Sequence, residues 1–458
     1  MQSALARHIL LPLHERLLRR PTLAFLSQMR ASQWLSRNAI EALQADRLRS
    51  LLQSALHHSP WHAGRIQASG IDLEARNLLA ELRRLPTMDK AEAAAHRDAM
   101  VWHQAPGGAI PYSTGGSSGT PLRFYFGKRR QAADMASRFR AREWWGHRFG
   151  EPELLLWGAP IELSRSDAVR ALRDRSLNQL MLNAFAMNAA SMDGYLDAIE
   201  AWRPSCIYGY ASSLSLLAAH VRSRRRILRL PSLKVVYTTG ETLYPHQRQL
   251  IREIFAAPVA NEYGCRDGGL IAMESPDGQM LLSSESVILE ILDAEGREVA
   301  VGEDGEAVIT NLYSDVQPFI RYRTGDLVRR SDAGCASGRG LHVLGDVMGR
   351  RTDFVVRPDG SLLHGLALIY VLRETLGVAE FKIIQHALED FEVLVRPGEG
   401  WDAASRVAIT QGIQARVGEA ARVRVVSVES IEPEASGKHR YVVSHVAMPR
   451  QFEILSAD

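Results

Sequence analysis

The sequence is poor in cysteine and lacks any long apolar run. Its 458 residues include three cysteines, Cys206, Cys265 and Cys335, which are too few and too scattered for a disulfide scaffold or for a metal site made of cysteine alone. Cysteines used in this way fit a reducing compartment, so we expect the protein to be cytoplasmic. Because no stretch of about 18 apolar residues occurs, the sequence predicts no transmembrane helix.

A large excess of charge is absent as well. Lys and Arg number 55 and Asp and Glu number 52, which gives a formal net charge of +3. Such an even balance gives no electrostatic reason to expect nucleic acid as a partner. The first 35 residues depart from this balance: they are basic and amphipathic, and they lack the apolar segment and cleavage site of a signal peptide. They predict a surface helix packed on the body or, alternatively, a peripheral contact with a membrane.

What the sequence does contain is enough apolar material for a large folded body. The hydrophobic fraction of 46% excludes wholesale disorder, and the length suggests two to four domains. Apolar residues recur at helical spacing from Ile40 to Leu56, and Pro60 ends that run, so residues 1–100 are predicted to be helical. From residue 101, β-branched and aromatic runs alternate with helical patterns, which is typical of an α/β protein with a largely parallel sheet.

The alternation between residues 101 and 350 gives definite element predictions. Strands are expected over 122–126, 153–157, 205–208, 233–238, 257–263, 286–291 and 306–312. Helices are expected over 130–146, 192–201, 212–226 and 245–255. Near residue 350 the pattern changes. Residues 351–458 predict a small α+β domain with two strands, a helix and a further strand, over 381–386, 391–395, 401–417 and 423–427.

The segment around residues 112–121 carries the strongest chemical signal. Residues 115–120 read Gly-Gly-Ser-Ser-Gly-Thr, and six small residues in a row can present many N–H groups and hydroxyls to a polyphosphate. A P-loop would need lysine after the last glycine and then a helix, whereas Pro121 and a predicted strand follow here. Ser117 lies in a literal Gly-x-Ser-x-Gly, so a serine hydrolase is an alternative, although the strand argues against a nucleophile elbow. The remaining interpretation is a mobile loop between two strands that folds over the phosphates of ATP.

This loop resembles the phosphate loop of the adenylate-forming superfamily of acyl-CoA synthetases, and most of all that of its phenylacetate–CoA ligase and capsule-biosynthesis ligase branch. The resemblance extends over nearly the whole chain, because further motifs of the family follow in the family's order. It implies a nucleotide-binding role for Ser113, Thr114, Gly115, Gly116, Ser117, Ser118, Gly119 and Thr120.

Two motifs extend the resemblance toward the adenosine. Residues 236–241 read as a strand that ends in Gly240-Glu241, which is similar to the family segment that packs on adenine and ribose. Residues 318–326 end in Thr-Gly-Asp and are the strongest single match. The resemblance implies that Asp326 accepts hydrogen bonds from both ribose hydroxyls, which suits a group with two acceptor oxygens.

A third motif, at residues 261–267, is similar to the family's Tyr-Gly-x-Ser/Thr-Glu. The resemblance implies that Tyr263 and Gly264 line the adenine and acyl pockets and that Asp267 helps to hold Mg²⁺. Arg266 stands where a hydroxyl is usual, and Asp267 stands where glutamate is usual. Aspartate can still supply hard oxygen ligands to Mg²⁺. Arg266 either makes a charge-assisted contact to phosphate or only pairs with Asp267.

Two motifs near the C-terminus complete the set. Residues 349–353 resemble the Gly-Arg-x-x-Asp that precedes the C-terminal domain, which implies that Arg350 reaches ribose or phosphate and that the hinge lies near residues 352–353. Residues 436–438 resemble the family's Ser-Gly-Lys, and there the lysine reaches the acyl carboxylate and the α-phosphate. Lys438 is therefore a candidate catalytic residue, together with Asp267 and Arg266.

Relatives in this branch often carry a structural zinc site made largely of cysteine, and only part of that pattern is present here. Ser275 stands where cysteine is frequent, and residues 335–339 keep only the first cysteine of a Cys-x-Cys-Gly-Arg pattern. A closed zinc site needs about four ligands, so we expect no zinc.

The resemblance implies two half-reactions. A carboxylate attacks the α-phosphate of ATP with Mg²⁺ bound, which gives acyl-AMP and pyrophosphate, and coenzyme A or another acceptor then displaces AMP while the small domain rotates. The basic run at residues 222–229 is a candidate for the 3′-phosphate of coenzyme A. An amine or hydroxyl acceptor is an alternative, and so is a degenerate scaffold, because Arg266 and Asp267 depart from the motif. The acid is expected to be aryl or otherwise small, in a pocket lined by Tyr208, Gly209, Tyr210 and Ala211.

Overall fold

The computed structural model shows a large body of helices and sheets and a small C-terminal α+β domain. This is the fold class that the sequence predicts, so that prediction is confirmed. The residues that the structure describes are 2–114, 122–157, 173–184, 187, 189–350, 354–359, 362–432 and 440–447.

The first hundred residues form helices joined by short turns, as predicted. Pro60 both ends one helix and begins the next, at a position where its missing N–H needs no partner. In the described part of the chain, no helix is long and apolar enough to cross a membrane. The helices are α1 (Gln2–Leu5), a π-helical turn (Ala6–Leu10), α2 (Leu11–Leu17), α3 (Thr22–Ser32), α4 (Arg37–His58), α5 (Pro60–Ser69), α6 (Leu78–Glu81), a 3-10 turn (Leu82–Arg84), α7 (Lys90–Ala95) and α8 (Arg97–Met100).

The α/β region begins with a hairpin and is built on an eight-stranded sheet. The hairpin strands β1 (Ile110–Ser113) and β2 (Arg123–Phe126) are followed by the helix α9 (Lys128–Trp144). The strands of the main sheet, in spatial order, are β13 (Val343–Leu344), β9 (Met280–Leu282), β8 (Gly269–Glu274), β7 (Val259–Cys265), β6 (Val235–Thr239), β5 (Cys206–Tyr210), β3 (Glu153–Trp157) and β4 (Gln179–Asn183).

The parallel half of the main sheet has a switch in strand order. From β4 to β7 all neighbours are parallel, and β3 pairs with β4 on one side and with β5 on the other. After β3, the chain adds β4 on one side of it. It then places β5 on the other side of β3 and continues in that direction with β6 and β7. Open α/β sheets bind ligands outside the carboxyl ends of the strands at such a switch point. The fold therefore indicates a ligand-binding site in the crevice at the carboxyl ends of β3 and β5.

Three helices cover the parallel strands: α10 (Ala189–Trp202), α11 (Ala211–Ser223) and α12 (Pro245–Phe255). Their apolar faces form a buried cluster with the strands, in which Leu214 and Ile251 pack against Ile207 and Val236. A separate antiparallel sheet follows, with strands β10 (Val287–Leu292), β11 (Asp304–Asn311), β12 (Tyr322–Arg329) and β14 (Val347–Arg350).

The C-terminal domain has its own core around Leu368, Phe391 and Ile409, and it meets the body where the Tyr441 ring contacts the Tyr244 ring at 6.3 Å between centroids. Its elements are β15 (Phe354–Val356), β16 (Leu362–His364), α13 (Leu366–Glu374), β17 (Val378–Ala387), β18 (Asp390–Pro397), α14 (Ala403–Val417), β19 (Arg422–Ser427) and β20 (Val442–Ser444).

The predicted strands and helices of the α/β region are all present, with ends displaced by a few residues. The strands β4, β8, β9, β12, β13 and β14 were not predicted. β8 is buried along its whole length, so it shows no alternation of polar and apolar residues. β12 contains Gly325 at φ 76°, and its pairing with β14 shifts register after Leu327, so its sequence indicates a turn as much as a strand.

A buried arginine joins the N-terminal helices to the antiparallel sheet. Arg321 is 5% exposed and makes two hydrogen bonds to Glu290, from Nε at 2.9 Å and from Nη2 at 2.8 Å. Its Nη1 donates to the carbonyls of Arg83 at 2.9 Å and Leu85 at 2.5 Å. One guanidinium therefore satisfies a buried carboxylate and two backbone acceptors that would otherwise be costly to bury.

We expect Arg321→Met to lower the free energy of unfolding by about 3–5 kcal/mol, because it leaves Glu290 buried without its partner. Urea unfolding followed by tryptophan fluorescence measures the change. Arg297→Met is the matched control, because Arg297 pairs with Asp293 in an exposed position, and it should leave stability unchanged. Equal effects of the two substitutions would contradict this account.

Candidate active site

The phosphate-loop candidate lies on a hairpin, as predicted. Ser113 of β1 is opposite Arg123 of β2. The Thr114 N–H donates to the Leu122 carbonyl at 3.0 Å, and the Leu122 N–H donates to Thr114 Oγ1 at 2.8 Å. The predicted residues Gly115 to Thr120 lie outside the described residues. The described element after the loop is the strand β2, whereas a nucleophile elbow leads into a helix, which argues against the hydrolase interpretation.

An aromatic wall stands at the switch point of the main sheet. Trp157 ends β3, and its ring stacks on Tyr210 of β5 at 4.4 Å between centroids and 20° between planes. Tyr208 lies on the same face of β5 and stacks on Trp157 at 5.6 Å. Gly209 faces the other way, where a Cβ atom would lie 2.7 Å from the Leu156 carbonyl oxygen. The predicted pocket residues Tyr208, Gly209 and Tyr210 therefore lie beside the crevice, and burial raises the pKa of Tyr210 to about 12.

Below the aromatic wall, the carboxylate of Glu262 in β7 is the centre of a buried hydrogen-bond network. Its carboxylate accepts two hydrogen bonds from Arg138 of α9, both at 2.9 Å, one from the Tyr208 hydroxyl at 2.7 Å and one from Thr239 Oγ1 of β6 at 3.2 Å. Burial alone would raise the pKa of Glu262, but Arg138 and Tyr208 outweigh burial and bring the pKa below its ordinary value of 4.5. One anion thus joins three strands and a helix under the crevice.

Arg266 links the crevice to the hairpin. Its Nη1 donates to the Ser113 carbonyl at 3.3 Å, and its guanidinium lies 5.7 Å from the centre of the Tyr112 ring. The positive charge of the same guanidinium acts on the phenol of Tyr210, where it opposes the rise in pKa that burial causes. The Asp267 carboxylate has other partners, so the alternative in which Arg266 only pairs with Asp267 is not what the structure shows. A cation lies where the phosphate-loop hairpin meets the aromatic wall.

Two tyrosine–aspartate hydrogen bonds cross between the motifs at 261–267 and 318–326. The Tyr263 hydroxyl donates to Asp326 Oδ2 at 3.0 Å, and the Tyr322 hydroxyl donates to Asp267 Oδ2 at 2.6 Å. All four residues are buried. Each motif therefore supplies the tyrosine that orients the aspartate of the other. Burial, followed by the negative charge of Asp326, raises the pKa of Tyr263, so this phenol stays a donor.

The remaining predicted residues border the same region. Gly240 follows β6 with φ 75°, and Glu241 accepts from the Ser212 N–H at 2.8 Å and from Ser212 Oγ at 3.0 Å. Glu241 thereby caps the first turn of α11, where Ala211 is buried. A Cβ atom on Gly264 would lie 2.7 Å from the Gly269 carbonyl oxygen, so only glycine fits there.

Three predicted positions are described in part or not at all. Arg350 is the β14 residue opposite Asp326 in the β12–β14 pairing, but its side chain is outside the described part of the structure. The expected hinge at residues 352–353 and the candidate catalytic Lys438 also lie outside the described residues.

The donor set at Asp267 fits a hard cation. An ionised carboxylate has about four lone-pair directions, and here one oxygen accepts from Tyr322 while the other accepts from the Gly268 N–H at 3.2 Å. Lone pairs therefore remain that would hold Mg²⁺. The residues at the positions of the relatives' zinc motif suit a zinc ion poorly. Cys335 Sγ lies 3.2 Å from the Ser337 hydroxyl, and Ser275 supplies no thiolate. The prediction that no zinc is bound stays a prediction.

The basic run at 222–229 is largely neutralised by neighbouring carboxylates. Arg222 pairs with Glu253, Arg224 with Asp193, and Arg226 with Asp197, each at 2.8 Å. These pairs leave little free charge for the phosphate of coenzyme A, which weakens the candidate named from the sequence.

Sequence reasoning missed four residues of the site: Trp157, Arg138, Glu262 and Tyr322. Glu262 and Tyr322 each lie inside a recognised motif, and their position there is the signal that could have identified them. Trp157 ends a run whose apolar residues read only as core, and Arg138 reads as one basic residue of a basic helix. Only their positions, Trp157 at the end of β3 and Arg138 on the face of α9 toward Glu262, indicate a role in the site, and these positions follow from the strand order.

Comparison with known proteins agrees with this geometry. Residues 355–445 match the CapK C-terminal domain family. The chain is 20% identical to protein CapK of Staphylococcus aureus over 372 residues, which are 80% of this chain and 81% of that protein. It is 21% identical to phenylacetate-coenzyme A ligase of Thermus thermophilus over 418 residues, 87% of each. The solved structure of 2-hydroxyisobutyryl-CoA ligase in complex with 2-HIB-AMP has the same fold, with a TM-score of 0.72 at 21% identity over 90% of this chain and 91% of that chain.

We expect Glu262→Gln to lower the free energy of unfolding at pH 7 by about 2–4 kcal/mol, because Arg138 loses its anionic partner in a largely buried position. The folded pKa of Glu262 lies below the unfolded one, so its stabilisation is complete above about pH 4.5 and is lost as the pH falls below that value. Urea unfolding at several pH values should give a constant difference from pH 8 to 5.5 that narrows below 4.5.

The control for this prediction is Glu253→Gln, which removes a carboxylate from an exposed ion pair. It should change stability little at any of these pH values. A Glu262→Gln difference that is absent at pH 7, or that grows on acidification, would contradict the role of Glu262 as a buried anion.

Proposed function

The chain belongs to the adenylate-forming superfamily, in the branch of the phenylacetate–CoA ligases and CapK, and from this premise we propose that it activates a small carboxylic acid with ATP and transfers the acyl group to an acceptor. In the first step a carboxylate oxygen attacks the α-phosphorus, the bond to the bridging oxygen of pyrophosphate breaks, and acyl-AMP forms. In the second step the acceptor attacks the acyl carbon and AMP leaves with the oxygen that it gained.

The single observation that carries the proposal is the position of Arg266 between the phosphate-loop hairpin and the aromatic wall.

The electrostatic problem of the first step is to bring two anions together. Arg266 is a permanent cation at the place where the acid and the α-phosphate would meet, and it contacts the Ser113 carbonyl and the Tyr112 ring. A preorganised cation of this kind stabilises charge that develops in the transition state. Mg²⁺ at Asp267 would neutralise the pyrophosphate that leaves. Lys438 would add a second cation when the C-terminal domain, turning near residues 352–353, brings it to the site.

The adenosine would lie along the seam between the main sheet and the antiparallel sheet. Asp326 is oriented by Tyr263, and its carboxylate suits two vicinal ribose hydroxyls. Gly264 lies in β7 at this seam and Arg350 is opposite Asp326, while Gly240 and Glu241 follow the neighbouring strand β6. These placements support the nucleotide assignment made from the motifs.

The stacked rings of Trp157, Tyr208 and Tyr210 favour a flat acid. Planar substrates gain from offset stacking on aromatic faces, and the buried Glu262 below this wall disfavours a second carboxylate on the acid. We therefore propose an aryl or other small monoacid. Coenzyme A is the acceptor that the phenylacetate-coenzyme A ligase supports, and an amine or hydroxyl is the alternative that the relation to CapK keeps open. The three free cysteines suit the cytoplasm, which is the compartment we propose.

ATP–pyrophosphate exchange across a panel of aryl and short aliphatic acids tests the proposed function. We expect exchange with at least one monoacid and a loss of about 100-fold or more in Lys438→Ala, because a cation that acts in the transition state is removed. Lys382→Ala is the control, since this lysine lies on β17 of the same domain, and it should exchange as the wild type does. No exchange with any acid, together with no ATP binding, would favour the scaffold alternative. Covalent labelling of Ser117 by a fluorophosphonate would favour the hydrolase.

Arg266→Gln tests the cation at the crevice. The exchange rate should fall by about 100-fold or more while the unfolding temperature stays the same, because the exposed side chain contacts one carbonyl and one ring. Arg266→Lys should restore part of the rate, since it keeps the charge but loses the planar fork. Exchange unaffected in Arg266→Gln would remove the residue from the catalytic group.

A further inference from the structure

The helical segment at the N-terminus is apolar on two opposite sides. Its inner side packs on the body: Ala6 and Leu11 are buried, and Leu11 joins a cluster with Met29 and Phe149. Arg7 fixes this side, because its Nε donates to the Phe149 carbonyl at 3.0 Å. The expectation of a helix packed on the body is met on this side.

The outer side carries a stripe of large apolar residues where a surface helix normally presents polar ones. The stripe consists of Leu5, Ile9, Leu13 and Leu17, which follow one another at intervals of four and are 45%, 56%, 52% and 74% exposed. Of the fifteen large apolar side chains that are exposed in the described part of the chain, seven lie between residues 5 and 35. The body therefore leaves a large part of each of these four side chains in solvent.

The charge around this stripe is of one sign. His8, Arg16 and Arg19 are exposed, and within the described residues neither arginine forms an ion pair. Glu15 is the one acidic residue among the first 35, and it is buried, where it accepts from Arg20 Nε at 3.0 Å. In the basic run at 222–229, by contrast, three of the five arginines pair with carboxylates. The N-terminal face therefore offers an apolar stripe with unneutralised cations beside it.

We propose that this face, residues 5–19, docks on an anionic lipid surface. The stripe would enter the boundary between headgroups and acyl chains while Arg16 and Arg19 contact lipid phosphates, which is how amphipathic helices bind an interface. A π-helical turn at Ala6–Leu10 interrupts the helix within the stripe, and such turns are frequent at functional sites. A symmetric dimer through this face is disfavoured, because it would bring the like charges of Arg16 and Arg19 toward their own copies. The proposal is independent of the catalytic function.

Co-sedimentation of the full chain with vesicles tests the proposal. The probes are vesicles of phosphatidylcholine alone and of phosphatidylcholine with about one third phosphatidylglycerol. We expect binding to the anionic vesicles only, weakened by 0.5 M salt. The paired variant I9S/L13S should lower the partition coefficient by about 10-fold or more, and R16Q/R19Q should lower it by roughly five-fold for each arginine.

The matched control is L376S/V407S, which removes two exposed apolar side chains from the C-terminal domain and should bind vesicles as the wild type does. Circular dichroism and pyrophosphate exchange report that each variant is folded. The proposal would be overturned by no binding to anionic vesicles, by binding unchanged in I9S/L13S, or by a dimer in sedimentation equilibrium that I9S/L13S abolishes. Loss of thermal stability in I9S/L13S without vesicle binding would assign the face to a partner within the chain, and would overturn the proposal too.

Discussion

The crossed hydrogen bonds between Tyr263 and Asp326 and between Tyr322 and Asp267 are the constraint on which the site depends. They join β7 and the turn that follows it to β12 of the antiparallel sheet: Tyr263 of β7 orients Asp326 of β12, and Tyr322 of β12 orients Asp267 of the turn. The two phenols hold the carboxylates in place by hydrogen bonds, so that Asp267 is fixed for the cation and Asp326 for the ribose that we propose.

The same seam explains why the other polar residues lie where they do. Glu262 holds β5, β6 and α9 together below the crevice, and Arg266 spans the crevice from the hairpin to Tyr210. Negative charge is thus confined to carboxylates with fixed partners, and a permanent cation faces the space between the aromatic wall and the phosphate loop. Such an arrangement suits a reaction that brings together two anions, since its stabilising charges are fixed before the substrates bind.

Much of the fold could be predicted from the sequence, because strands such as 153–157 and helices such as 245–255 carry their own periodicity. The site was predicted as far as its motifs reach, and a motif names residues without saying what they touch. The bonds Tyr263–Asp326 and Tyr322–Asp267 join residues 63 and 55 positions apart, and only the packing of two sheets brings them together. Trp157 could not be assigned to the crevice until the order of β3 and β5 was known, and the apolar stripe on the N-terminal helix became meaningful once its opposite side was seen to be packed.

The central claim is that a carboxylate attacks the α-phosphorus of ATP at this site, and the most direct measurement follows the attacking oxygen. The acid that supports pyrophosphate exchange is labelled with oxygen-18 in its carboxyl group and turned over with its acceptor, and the AMP is analysed by mass spectrometry. Acyl-AMP formation predicts AMP that carries one atom of oxygen-18 from the acid, together with unlabelled pyrophosphate. Unlabelled AMP, or ADP and phosphate in place of AMP and pyrophosphate, would contradict the account.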